Sequence, residues 1–289
     1  MVTMESIPPE LCAAMSSNVD VAQLVDIVRV SNKYCFKTLE VWALDAIHHY
    51  VNCKPSPISG TSIQVTAQLT RLVRLAHMCN HGPLLNTMIE HLQQLMTVSL
   101  QYAYLAMTLA DELDLRTLRG LAYFEVLRNG FVPKRARVDK TASQAPDVTV
   151  MDPKEGEVDE KGRLVVNSSQ QFRLLSGYYR LTRSWEKFRS TGSPFYHSAS
   201  CSASRHQHIC VQTWGDFWNE KKKAESVLAF GLEDVVGRMT QIQKEFEEWV
   251  VTSSMYHECK NNARTSFHEA IKKTQDTLPD FFSEIGGDI

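Results

Sequence analysis

Asp20-Val-Ala-Gln-Leu-Val-Asp-Ile-Val-Arg-Val30, followed after Ser31-Asn32-Lys33 by Tyr34-Cys-Phe-Lys-Thr-Leu-Glu-Val-Trp-Ala-Leu-Asp-Ala-Ile-His-His-Tyr-Val51, is the stretch that decides the fold. Val21, Leu24, Val25, Ile27 and Val28 recur at helical steps and make one broad apolar face, with Asp20 placed to cap the first turn. Leu39, Trp42, Ala43, Ala46 and Ile47 repeat the spacing up to Val51, which predicts a helical pair. The signature continues outward. Pro55, Pro57 and Gly60 break it, Val65, Leu69, Leu72, Val73 and Ala76 restart it, and Gly82-Pro83 is expected to end that helix. Leu84, Leu85, Met88, Ile89, Leu92, Leu95 and Met96 predict the next helix. Two more are expected from about Leu100 to Ala110 and from about Leu115 to Arg128, the last closed by Asn129-Gly130.

Composition agrees with a folded chain: 43% of the 289 residues are hydrophobic and 22% charged, so there is material for a core. With 33 acidic and 31 basic groups the net charge is -2, which gives no overall attraction to nucleic acid or an anionic membrane. No run reaches the roughly 18 uninterrupted apolar residues of a membrane span. The N-terminal residues have neither the basic start nor the apolar core of a secretory signal. An intracellular location, cytoplasmic or nuclear, is expected, where the seven cysteines stay reduced and serve burial or metal binding rather than disulfides.

From Val132 to about Gly162 the apolar periodicity disappears among Pro133, Pro146, Pro153 and clustered Asp and Glu, which predicts a disordered linker over 132–162. At its head Lys134, Arg135 and Arg137 have the charge spacing of a nuclear import signal, or form an ordinary solvated linker end. Residues 163–289 form the second region. Gly162 to Val166 reads as a short strand or extended arm, and Gln170 to Trp185 as a helix carrying Arg173, Arg180 and Arg183. Two long helices close the chain. One runs from about Leu232 to Val251 with Val235, Val236, Met239, Ile242, Phe246, Trp249 and Val250 inward, the other from about Met255 to Thr277 with Cys259, Ala263, Phe267 and Ile271 inward, ended by Pro279. The fold class is therefore mainly α: a helical array followed by a second helical subdomain with a Cys/His loop.

That loop is Cys201-Ser-Ala-Ser-Arg-His206-Gln-His208-Ile-Cys210. Zinc takes thiolate and imidazole ligands in a tetrahedron, and Cys201, His206 or His208, and Cys210 offer three such donors at spacings that fold round one ion. A fourth is needed. Cys259 is one source, His257 its competitor two residues earlier, and His197 a further candidate. Structural zinc would fasten the loop to the last helix. Beside it stand three other readings: buried cysteines next to exposed histidines, a redox pair, and a Cys/His nucleophile. The serine-nucleophile elbow, the His-Glu-x-x-His helix, the phosphate loop and the dinucleotide-binding glycines do not occur, which moves the reading toward a binding protein without cofactors other than the zinc. Trp214, Phe217 and Trp218 have helical spacing and are expected in the core.

Asp20 to Val51 resembles the last helical pair of a BTB/POZ domain, in which a leucine-rich helix, a Lys-Tyr step and a second helix follow one another. Gln101-Tyr-Ala-Tyr-Leu-Ala-Met-Thr-Leu-Ala-Asp-Glu-Leu113, Leu175-Ser-Gly-Tyr-Tyr-Arg-Leu181, and His206-Gln-His208-x-Cys210 with Trp214-x-x-Phe217-Trp218 are similar to the C-terminal region of fungal BTB-domain proteins. The resemblance implies that residues 1–52 end a BTB-like domain and that 61–131 are post-BTB helices. The strand-rich half that forms the family's dimer interface is expected to be missing. What the resemblance implies about dimerisation and docking to a cullin-type ligase scaffold is therefore not carried over to residues of this sequence, which is either a truncated product or dispenses with that half. The expected function is a non-enzymatic adaptor that binds a protein partner. A nuclear, nucleic-acid-associated zinc module using Lys134 to Arg137 and Arg173, Arg180 and Arg183 is the alternative, though the net charge argues against nucleic acid. A cysteine-dependent enzyme using Cys201 or Cys210 is the third reading.

Overall fold

The computed structural model describes residues 20–53, 63–129, 155–158 and 163–283. The N-terminal segment, the breaks at Pro55, Pro57 and Gly60, the basic cluster Lys134, Arg135 and Arg137, and the 132–162 linker apart from 155–158 lie outside the described residues. Among the described residues the fold is helical throughout, and the expected strand or arm at 163–166 takes part in one isolated antiparallel bridge, Val158 to Leu164. The chain divides into two compact units, 1–115 and 116–289.

The first unit contains α1 (Val21–Lys33), α2 (Lys37–Asn52), α3 (Ile63–Met78), α4 (Gly82–Met96) and α5 (Leu100–Glu112). Asp20 caps α1, its carboxylate accepting the Ala22 N–H at 2.9 Å, and Val21, Leu24, Val25 and Val28 are buried on one face. Cys35, at φ 60°, turns the chain into α2, whose Ala43, Leu44, Ala46, Ile47 and Val51 face back onto α1 and the core. Glu40, 2% exposed, is the charged group in this core. Lys37 Nζ and Asn32 Nδ2 donate to it at 3.0 and 3.3 Å, so the carboxylate keeps its hydrogen bonds when it leaves water. Gly82-Pro83 opens α4 instead of closing α3, because proline's missing N–H costs nothing in a first helical turn. The preceding helix ends at Met78, before Asn80 at φ 52°.

The second unit contains α6 (Arg116–Asn129), α7 (Ser168–Thr191), α8 (Ala203–Arg205), a π turn (His206–Cys210), α9 (Val211–Lys221), α10 (Glu225–Leu228), α11 (Val235–Val250), α12 (His257–Asp276) and α13 (Leu278–Phe281). Helix α6, which its sequence neighbours place in the 61–131 region, falls in this unit. Its Tyr123 ring packs on Phe282 at 5.4 Å, and Gly120 lets Pro279 come so near that a Cβ there would lie 2.5 Å from the proline nitrogen. The core is aromatic: Trp214 and Phe217 of α9 meet Phe246 of α11 at 5.5 and 5.2 Å, and Phe246 meets Phe267 of α12 at 5.5 Å. Two arginines serve backbone carbonyls of this unit, Arg180 partly exposed and Arg238 buried. Arg180 Nη1 donates to the carbonyls of Asp280, Phe281 and Ser283, satisfying the end of α13, and Arg238, 3% exposed, donates to the Phe230 carbonyl with its guanidinium 5.0 Å above the Trp185 ring.

Gly177 of α7 lies against the fully buried Phe282 ring, where an added Cβ would be 2.1 Å from Cε1, whereas a Cβ at Gly215 of α9 would meet nothing within 4 Å. Gly177→Ala is expected to destabilise by about 1–3 kcal/mol through overpacking. Gly215→Ala should stabilise by roughly 0.5–1 kcal/mol by removing backbone freedom from the unfolded chain. Urea unfolding midpoints of the two variants check both signs.

Candidate metal centre

Beyond α7 the chain turns at Gly192, at φ 76°, and residues 193–200 run as a strap along one side of α12. Ser266 Oγ donates to the Pro194 carbonyl at 2.6 Å and lies 2.8 Å from the Ser193 hydroxyl, which leaves Ser193 as the donor between them. One turn earlier Asn262 Nδ2 donates to the Tyr196 carbonyl at 3.4 Å, and one turn earlier again the Ser198 and Ser200 hydroxyls both donate to Glu258 Oε2. Positions 266, 262 and 258 are four apart and so share one helical face. The hydroxyl bonds from Ser198 and Ser200 hold the Glu258 carboxyl below its usual value. Read along the strap, each step is a polar bond, and the next residue after Ser200 is Cys201.

The stretch from Cys201 to Cys210 is not an open loop. Ser202 caps α8, its hydroxyl accepting the Arg205 N–H, and the next five residues close a π turn in which the Val211 N–H donates to the His206 carbonyl. His206 and Cys210 are four residues apart and so lie on one side of the turn, while His208, midway between them, lies on the other. His206 is half-buried, Cys210 is fully buried and His208 is exposed. Cys259, two residues into α12 from His257, faces inward at 0% exposure, and His257 faces solvent, 3.7 Å from the Glu258 carboxylate.

Cys201, His206, Cys210 and Cys259 therefore converge, each offering one ligand atom, and all four atoms lie within 4.8 Å of one another. Cys259 Sγ is 3.5 Å from His206 Nδ1. Tetrahedral zinc bonds of about 2.3 Å to sulfur and 2.0–2.1 Å to nitrogen give edges of about 3.6 Å between S and N and about 3.8 Å between sulfurs. The cluster is thus close to the size of a single-ion site, and the four can hold a metal ion. Of the seven residues that the sequence offered, His208, His257 and His197 stay outside. His197 packs its ring edge-on against His206 at 4.5 Å, without joining the four.

The surroundings complete the site. The Tyr256 N–H donates to Cys210 Sγ at 3.4 Å, a bond that favours a negative sulfur. Phe195 of the strap stacks on His206 at 5.2 Å and on Trp214 at 5.3 Å, which fixes the imidazole plane and ties it to the aromatic core. Burial, with His197 nearby, lowers the His206 pKa and keeps the ring neutral, as ligation requires. Burial pushes the Cys201 thiol up and the Cys259 thiol up from 9.0 to about 11, so without a cation both are protonated at neutral pH. A bound cation reverses this preference and makes the sulfurs thiolates. The strap serines, the Tyr256 amide and Phe195 were not singled out in the sequence. Serines at 193, 198 and 200 set against Ser266 and Glu258 are the signal that could have found the strap, and it becomes readable only with the helical phase of α12 in hand.

No protein-family model matches the chain, and no characterised protein and no solved structure is significantly similar to it. Among the described residues no helix is long and apolar enough to cross a membrane.

The geometry separates the histidines. Cys259→Ser and His206→Ala should each lose bound metal, whereas His208→Ala and His257→Ala should retain it, as read by metal analysis after gel filtration. The pH response should also change sign on chelation. In metal-free protein a Cys259 pKa raised to about 11 in the folded state stabilises below the ordinary thiol value of 9.0, and that stability is lost as the pH rises through 9.0 toward 11. In metal-loaded protein protons compete with the ion, so stability is lost on acidification. Melting temperatures across the two pH ranges, with and without chelator, check this.

Proposed function

We propose that this chain is a non-enzymatic interaction protein of the BTB-associated type, a helical adaptor whose first unit engages a protein partner and whose second unit is fastened by one structural zinc held by Cys201, His206, Cys210 and Cys259. The observation that carries the zinc half is the donor set. Three sulfurs and one imidazole converge from the strap, the π turn and α12. Soft sulfur ligands with one imidazole suit zinc, and four protein donors fill a tetrahedron and leave no position for water or substrate. A closed site fastens, whereas a catalytic zinc keeps a position open. The ion would tie the start of α12 to the π turn and to the end of the strap, which lie about fifty residues earlier in the chain, and metal binding free energy would then become folding free energy.

The adaptor half is supported by the resemblance of Asp20 to Val51 to the closing helices of a BTB/POZ domain. The turn joining those helices also leaves Tyr34 and Phe36 at 60% and 58% exposure. Exposed aromatic side chains are the type that anchor protein interfaces.

Protein purified without an affinity tag should carry about one equivalent of zinc, and its removal should cost on the order of 4 kcal/mol if the free ion is held a thousandfold above its dissociation constant. That corresponds to roughly 10 °C in the melting temperature of a unit this size. Less than about a tenth of an equivalent, together with a Cys201→Ser variant of unchanged melting temperature, would sink the zinc half. Affinity capture from cells should recover a specific protein partner; recovery of none would count against the adaptor half.

A further inference from the structure

The first unit holds a groove of about 350 Å³ between α1 and α3, lined by Arg29, Ala67, Thr70, Arg71, Arg74, Leu75 and Met78. Helical phase explains the lining. On α1, Asp26, Arg29, Val30 and Lys33 share a face, and on α3, Ala67, Thr70, Arg71, Arg74 and Met78 share another. The floor is apolar and the rim is cationic. Arg71 meets Asp26 at 2.7 Å and Arg74 meets Glu112 at 2.6 Å, while Arg29 makes no ion pair among the described residues. Three guanidiniums thus face two carboxylates.

Both ion pairs are open to water, with side-chain exposures of 36% and 66% in one and 51% and 42% in the other. Pairs so exposed contribute little to stability and exchange readily for another carboxylate. Each guanidinium carries five N–H donors, so Arg71 and Arg74 have hydrogen bonds to give beyond the one recorded to each acid, and Arg29 has all of its own. Apolar surface continues from the groove: Met78 is 51% exposed and Val30 54%, and Tyr34, the residue that follows α1, is 60% exposed.

We propose that this groove binds an acidic peptide segment of a partner protein, its carboxylates paired with Arg29, Arg71 and Arg74 and its apolar side chains laid over Ala67, Leu75 and Met78. The proposal rests on the adaptor reading and gives its partner a chemistry. Charge complementarity selects the sign, since planar forked donors match carboxylates two bonds at a time. The apolar floor selects a peptide over a free anion. The cavity is near the lower end of the roughly 300–1,000 Å³ of ligand pockets, which suits side chains of an extended segment better than a packed helix.

The test uses the whole chain as purified and a fluorescein-labelled peptide of alternating leucine and glutamate, with the leucine-glutamine peptide as control, read by fluorescence anisotropy. Saturable binding of the glutamate peptide is expected, weaker at higher salt, and Arg29→Glu should weaken it by about tenfold or more. Arg183→Glu makes the same charge change at an exposed position of the second unit and should alter binding by less than about twofold. Arg29 and Arg74 are both exposed, so Arg29→Glu with Arg74→Glu should keep the native circular dichroism while losing binding. Equal affinity for the glutamine peptide, or undiminished binding by the folded double variant, would overturn the proposal. Binding of inorganic pyrophosphate without binding of the glutamate peptide would also overturn it. Affinity capture with the double variant separates the two ideas: a partner still recovered leaves the adaptor standing and removes the groove, whereas none recovered even with the unaltered chain removes the adaptor itself.

Discussion

Three thiol groups buried against one imidazole are the constraint on which the second unit depends. Cys201, Cys210 and Cys259 are at most 3% exposed, and sulfur is a weak hydrogen-bonding atom, so little inside the protein rewards such crowding. A divalent ion would change the balance, turning the thiols into thiolate ligands and joining elements that share no backbone hydrogen bonds. The aromatic core begins directly beside it. Trp214 follows Cys210 by one helical turn and stacks on Phe195, which stacks in turn on His206. The imidazole that would bind metal is thus oriented by the same rings that fill the core, and a disturbance at either place is felt at the other.

Polar groups in this unit are settled locally, which is why long stretches without regular structure can pack at all. The strap replaces ladder hydrogen bonds with side-chain bonds to Ser266, Asn262 and Glu258 at successive turns of α12. Arg180 caps the last carbonyls and Arg238 caps the Phe230 carbonyl. Among the described residues Arg238 Nη1 and Ser31 Oγ are the buried side-chain atoms left without a hydrogen-bond partner. For Arg238 the face of Trp185 at 5.0 Å provides partial compensation by cation–π attraction. The arginines at 173, 180 and 183 looked in the sequence like a basic stripe, yet Arg180 is spent on backbone carbonyls, and that weakens the case for a nucleic-acid surface along α7.

The first unit works differently. Its core is mainly aliphatic, with Leu69, Leu72, Val73 and Ala76 of α3 fully buried, and its surface keeps apolar and cationic groups side by side. Exposed Tyr34 and Phe36 lie at a turn forced by the left-handed conformation of Cys35. Rigid helices therefore present these groups in fixed positions. Such preorganisation would reduce the entropy lost on binding a partner.

By itself the sequence determined the helical class, the positions of most helices to within a few residues, the aromatic core at Trp214 to Trp218, and the pool of residues from which a metal site could be drawn. These are local properties: periodicity of 3.6 is written into neighbouring residues, and soft donors crowded into ten positions are visible without a fold. Only the tertiary structure decided that His206 and not His208 joins the cysteines, that Cys259 and not His257 completes the four, that α6 belongs with the second unit, and that a strap of serines delivers Cys201. Each of these depends on rotation about a helix axis or on contact across many residues. His206 and Cys210, four residues apart, share one side of the turn and His208, two residues from each, falls on the other, but which side meets Cys259 is decided by contacts that the spacing along the chain does not record.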